Sequence, residues 1–201
     1  MNSPFNLENQ TEYSNWRKYK LSQYPTNNEK LLVKFHKNVI SKSDVNLIKK
    51  SIKKYNFAFY EFESIVPDKE LHKFCSKLGL DKSISNLLSD SDNISNITNQ
   101  EGNKDKISGK EYIPYTDKRL NWHTDGYYYP IDSAIKSFLL HCVNPAQNGG
   151  ENFLLDHEII YIHLRDYNPD FINVLMQNNI MEIPKNKNVE GSKNVSGPVF
   201  Y

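Results

Sequence analysis

Arginine is scarce in this chain. Only Arg17, Arg119 and Arg165 carry a guanidinium among 201 residues, too few for a surface built to clamp phosphates or carboxylates. An excess of one charge is also missing. The 25 basic and 24 acidic side chains leave a net +1, which argues against nucleic acid or a membrane surface as a partner. Cysteine is limited to Cys75 and Cys142, a sparse pattern that fits reduced thiols in a cytoplasmic protein rather than a disulfide framework. No apolar run reaches membrane-spanning length. The first ten residues lack a basic segment followed by an apolar one, so no secretory leader is expected.

What remains is ordinary material for a globule. A hydrophobic share of 38% suffices for one sizeable core at this length. Residues 1–28 are rich in Asn, Ser and Gln and read as a loose polar arm with one short helix around Trp16–Leu21. Residues 29–201 read as a single domain. Leu31, Val33 and Phe35 suit a short strand. Ser43 stands before a helical pattern in which Val45, Ile48 and Ile52 share one face and lysines the other. The aromatic run Phe57–Phe62 reads as a buried strand. A helix follows from Pro67 to Leu78, with Pro67 in its first turn and Gly79 as its stop.

Residues 81–110 turn to Ser, Asn, Asp and Lys, a connection within the domain with room for one strand near Ile94–Ile97. Beyond it, Ser137–Val143 and Glu151–Leu155 are apolar runs of strand length on either side of a turn at Pro145–Gly150. Asp156 is placed to cap a helix carrying Ile159, Ile160 and Leu164, and Asn168-Pro169 opens another through Met176. Strands are expected at Ile180–Ile183 and Pro198–Tyr201. The reading is an α+β chain, β-rich in its second half, with helices against a sheet.

Chemistry concentrates in Trp122-His123-Thr124-Asp125-Gly126. On a strand, residues two apart point to one face, so His123 and Asp125 would project together. An imidazole nitrogen and a carboxylate oxygen make two corners of a non-haem Fe(II) site, which a second histidine completes while positions stay open for dioxygen and substrate. The competing reading is a surface histidine beside a common Asp-Gly turn.

Two longer stretches, "EYIPYTDKRLNWHTDGYYYP" and "FLLHCVNPAQNGGENFLLDHEIIYIHLRD", resemble the TauD/TfdA-like branch of Fe(II)/2-oxoglutarate-dependent dioxygenases. The pairing of "WHTDG" with a later "GGEN" is specific, whereas a bare HxD is not. The resemblance implies a double-stranded β-helix (jelly roll) with flanking helices, here partial. It implies Fe(II), with 2-oxoglutarate and dioxygen as cosubstrates, and hydroxylation or oxidative cleavage of a small organic substrate. His123 and Asp125 fall on the family's first two metal ligands. Asn152 falls where many relatives place a threonine or similar residue that hydrogen-bonds 2-oxoglutarate, and its amide can still donate. The family's third ligand, a distant histidine, and the arginine that pairs with 2-oxoglutarate have no matching position before Tyr201. The C-terminal part of the domain is therefore expected to be lacking, leaving strand edges that invite a homo-oligomer or a complementing C-terminal chain.

Other residues have plainer readings. His141 ends an apolar run and reads as a core histidine; His157 and His163 belong to a helix, and Arg165 lies near that helix's end. Tyr127, Tyr128 and Tyr129 either line a pocket or pack along a strand edge. Two further functions stay open: a non-catalytic ligand- or partner-binding protein, and another divalent-metal enzyme that recruits His141 or His157.

Overall fold

The computed structural model describes residues 3–81, 94–98, 113–126, 129–185 and 193–201. Two compact units form: Met1–Asp81 with His141–Val174, and Lys82–Leu140 with Leu175–Tyr201. No helix among the described residues is long and apolar enough to cross a membrane.

In the first unit, strand β1 (Leu32–Phe35), helix α2 (Lys42–Tyr55) and strand β2 (Phe59–Phe62) form a crossover unit. The strands pair in parallel, Leu32 opposite Phe59 and Phe35 opposite Phe62, as a helical connection requires. The start of α2 is set by Ser41, two residues before the Ser43 that the pattern suggested. Ser41 Oγ accepts from the Asp44 amide, and the Asp44 carboxylate accepts from the Ser41 amide at 2.9 Å, a capping box written as S-x-x-D. Asn56 ends the helix at φ +65°. Helix α3 (Asp68–Leu78) follows Pro67 and stops at Gly79, whose φ of +89° costs glycine little. Phe35 and Phe74 are fully buried and meet edge to face at 5.3 Å, with Val45, Ile48 and Leu71 buried as well.

The polar arm is not loose. Helix α1 (Gln10–Ser22) is capped by Asn9 and is longer than the short segment its apolar residues suggested. It is tied to helix α4 (His157–Tyr167), which Asp156 caps through the Glu158 amide. The Arg165 guanidinium lies 3.8 Å from the centre of the Tyr13 ring and donates to the carbonyls of Pro4, Asn6 and Leu7. Arg165 therefore holds the N-terminal residues, not the end of its own helix. Lys20, 5% exposed, bonds Asp156 at 2.7 Å, Glu158 and the Lys54 carbonyl. Few lysines are this deeply buried, and those that are need such partners. Helix α5 (Pro169–Leu175) ends one residue before the expected Met176, and Asn168 accepts from the Asp170 amide at its start.

Among its described residues the second unit has a small antiparallel sheet, β3 (Met181–Ile183) with β4 (Val195–Gly197). The final strand precedes the expected Pro198–Tyr201, since Pro198 has no N–H to give a ladder.

The structure is mixed helix and strand, but the β-rich second half is not what the described residues show. Residues 137–143 and 151–155 carry no strand, nor do 94–98. An extended apolar run becomes a strand only when neighbours take up its backbone groups. Here Phe138, Leu140, Phe153, Leu154 and Leu155 stand exposed instead. Much of the connection 81–110 lies outside the described residues.

Candidate metal centre

The segment from Asn121 to Asp125 is irregular rather than strand, yet it brings the two side chains together. His123 Nε2 lies 3.6 Å from Asp125 Oδ1. The other ring nitrogen is engaged locally: Nδ1 lies 2.8 Å from the Asn121 carbonyl oxygen. A carbonyl can only accept, so Nδ1 carries the proton in the neutral ring. Nε2 is the ring nitrogen that stands 3.6 Å from the carboxylate. This is the arrangement by which a backbone carbonyl fixes the tautomer of a metal-binding imidazole.

The pair passes a simple fit test. Imidazole nitrogen binds a divalent first-row ion at about 2.0–2.1 Å and carboxylate oxygen at about 2.0–2.2 Å, so two ligands of one ion lie at most about 4.3 Å apart. A separation of 3.6 Å is within that reach. The same geometry serves a plain His–Asp ion pair when the ring is protonated. Both side chains are accessible, 37% and 44% exposed, so a ligand can enter without any rearrangement. Among the described residues no group of three His, Cys, Asp or Glu side chains converges. His123 and Asp125 form a pair there without a third such group beside them.

Asp125 is followed by Gly126 at φ +71°. Its carbonyl accepts from the Tyr129 amide at 2.9 Å. Tyr127 and Tyr128 lie outside the described residues, and Tyr129 is half-buried.

Asn152 sits in the first unit, on an exposed stretch, and its amide donates to the Gly150 carbonyl at 3.3 Å. Gly149 and Gly150 both hold positive φ, +69° and +80°, as the turn between 145 and 150 demands. The remaining histidines have other surroundings. His141 stacks on Tyr60, with ring centres 5.7 Å apart and planes at 6°, and its Nδ1 lies 3.2 Å from the Tyr60 hydroxyl. Burial keeps its pKa below the ordinary imidazole value. His157 opens α4, and His36 pairs with Glu63 at 3.1 Å.

Two features of the site were not named in advance. The Asn121 carbonyl has no sequence signature, because every residue carries one. The packing against Gly126 had a visible trace in the Asp-Gly dipeptide, which marks a turn without saying what lies over it.

His123 and Asp125 are thus a histidine and a carboxylate close enough to share one divalent ion. The whole chain supplies the context: residues 23–201 match the taurine catabolism dioxygenase TauD, TfdA family, and the chain belongs to that family. A uridine-5'-phosphate dioxygenase from Streptomyces sp is 36% identical over 87 residues, 43% of this chain. That matched stretch spans 31% of the relative's length. No solved structure matches the chain.

Proposed function

We propose that this chain is a dioxygenase of the Fe(II)/2-oxoglutarate type that hydroxylates or oxidatively cleaves a small organic substrate, built on a jelly-roll core. The observation that carries the reading is His123 Nε2 standing 3.6 Å from Asp125 Oδ1, with Nδ1 2.8 Å from the Asn121 carbonyl oxygen, in a chain of this family. Bound there, ferrous iron would supply the oxidising chemistry with 2-oxoglutarate and dioxygen. The chain's own share is ligation and orientation. His123 would offer Nε2, the Asn121 carbonyl would orient the ring through Nδ1, and Asp125 would offer Oδ1 together with the negative charge a divalent ion needs. Asn152 would donate its amide to a carboxylate of 2-oxoglutarate. A further metal ligand and a cation to pair with the cosubstrate carboxylate would complete the site.

The test is oxygen uptake coupled to succinate formation, with Fe(II), 2-oxoglutarate and a panel of small organic substrates. Uridine 5'-phosphate belongs in the panel because the Streptomyces relative is named for it. Activity that disappears in His123→Ala supports the proposal. Metal binding indifferent to both His123→Ala and Asp125→Ala overturns it. The exposure of both side chains favours one other reading, a non-catalytic ligand- or partner-binding protein. Metal binding that depends on both residues, without succinate under any condition, would select it.

A further inference from the structure

We propose that Gly126 is a positioning residue for Asp125, with Ile135 as the stop that fixes where the Asp125 backbone sits. The inference rests on the metal reading above. Gly126 is buried, the one buried residue among the described residues of its unit. A Cβ built on it would stand 2.5 Å from Ile135 Cδ1 and 2.7 Å from Ile135 Cγ1. Non-bonded carbons prefer about 3.5–4.0 Å, so Ile135 occupies the space that any side chain at 126 would need. On its other side Gly126 is tied by its carbonyl to the Tyr129 amide at 2.9 Å. Its φ of +71° adds a separate demand for glycine.

Asp125 is bonded directly to this fixed point. Relieving the collision requires a displacement of about 1 Å. Whatever part of that displacement Asp125 takes up, rather than Ile135, alters a 3.6 Å spacing that lies only about 0.7 Å (4.3 − 3.6) inside the reach of one ion. A glycine that looks like turn punctuation thus sets the bite of the site.

The experiment is a cobalt(II) titration of the 201-residue chain, followed by the visible absorption of bound cobalt and by the 15N resonances of the His123 ring. Gly126→Asn separates the two demands, because asparagine enters the left-handed region more readily than other L residues. It should weaken cobalt binding by about tenfold or more, the scale seen when a ligand's support is removed. Ile135→Ala alone should change affinity by about threefold or less, and the double variant should recover most of what Gly126→Asn loses. Thermal unfolding of each variant separates lost affinity from lost fold. If Gly126→Asn does not fold, Ile135→Phe presses on the same point with the glycine intact and should weaken binding likewise. Cobalt binding by Gly126→Asn, or in its place Ile135→Phe, equal to that of the unsubstituted chain overturns the proposal. So does a double variant no better than Gly126→Asn. A chain that shows no His123-dependent cobalt signal at all removes the metal reading and this inference with it.

Discussion

The unit built on Met1–Asp81 and His141–Val174 and the unit that carries His123 and Asp125 are made differently. Every buried hydrophobic residue described belongs to the first: Phe35, Phe74, Ile162 and Ile172 at its centre, with Tyr13 and Tyr161 bringing α1 onto α4. Its buried polar groups, Lys20, Asp156 and Arg165, are there as well. In the second unit the described residues bury a single glycine. Hydrophobic burial is the largest favourable term in folding, and among the described residues it is concentrated in the first unit. The second holds its candidate ligands by local backbone contacts instead. The described core lies in the first unit and the His123–Asp125 pair in the second, and substitutions at the two should sort the same way.

The largest effect should come from Lys20→Met. Its ammonium answers the buried Asp156 carboxylate at 2.7 Å, together with Glu158. Removing one partner of a buried pair leaves an uncompensated charge and costs about 3–5 kcal/mol. Urea unfolding should show that loss while His123-dependent metal binding stays as it was. Burial alone would lower the Lys20 pKa, but its bonds to Asp156 and Glu158 raise it above the ordinary value. Its stabilisation is therefore complete below that ordinary value and is lost as pH rises through the folded one. Phe74→Ala should fall in the same range, about 3–5 kcal/mol for a large aromatic removed from a core. Asp125→Ala is the converse. It should abolish metal binding and change unfolding by about 0.5 kcal/mol or less, as an exposed side chain does. A variant that moved both readouts equally would break the division.

The sequence made the local signals readable and left the long-range ones hidden. Asp156, Asn168-Pro169 and Gly79 each act through the backbone next to them, and each ends or begins a helix where its chemistry says it should. Lys20 could not be read as buried, because its partners Asp156 and Glu158 lie far along the chain and lysine is ordinarily a surface residue. Strands at 137–143 and 151–155 could not be read from apolar runs alone, since a strand is a property of pairing. At the site, the two-residue spacing named His123 and Asp125, but on the wrong backbone. They meet across an irregular segment, and the tautomer is set by a carbonyl that no residue type announces.

A medium effect is expected from acid. Burial holds the His141 pKa below its ordinary 6.5, against the weaker raising influence of Asp68. The unfolded chain then takes up its proton first. The contribution is complete above pH 6.5, and stability falls as pH drops from there through the folded value. His141→Phe keeps a ring against Tyr60 and removes the proton. Its unfolding free energy should fall less steeply between pH 7 and 5 than that of the unsubstituted chain. An unchanged slope would place the acid sensitivity elsewhere.

The smallest effect should come from the ion pair that fastens α1 from outside. Arg17 bonds Asp166 at 2.6 Å, and the Tyr13 hydroxyl donates to the same carboxylate at 2.7 Å. Burial would raise the Asp166 pKa, but the bonds from Arg17 and Tyr13 hold it below the ordinary carboxylate value of 3.8. The stabilisation is thus present above that value and lost as pH falls through the folded one. Arg17 is 40% exposed and Asp166 33%, so water and salt screen the pair and Arg17→Ala should cost about 0.2–1 kcal/mol. The loss should shrink further in 1 M salt, whereas the Lys20→Met loss should persist there because its partner is buried. Equal salt sensitivity in the two variants would mean that the first unit is held by its surface as much as by its interior.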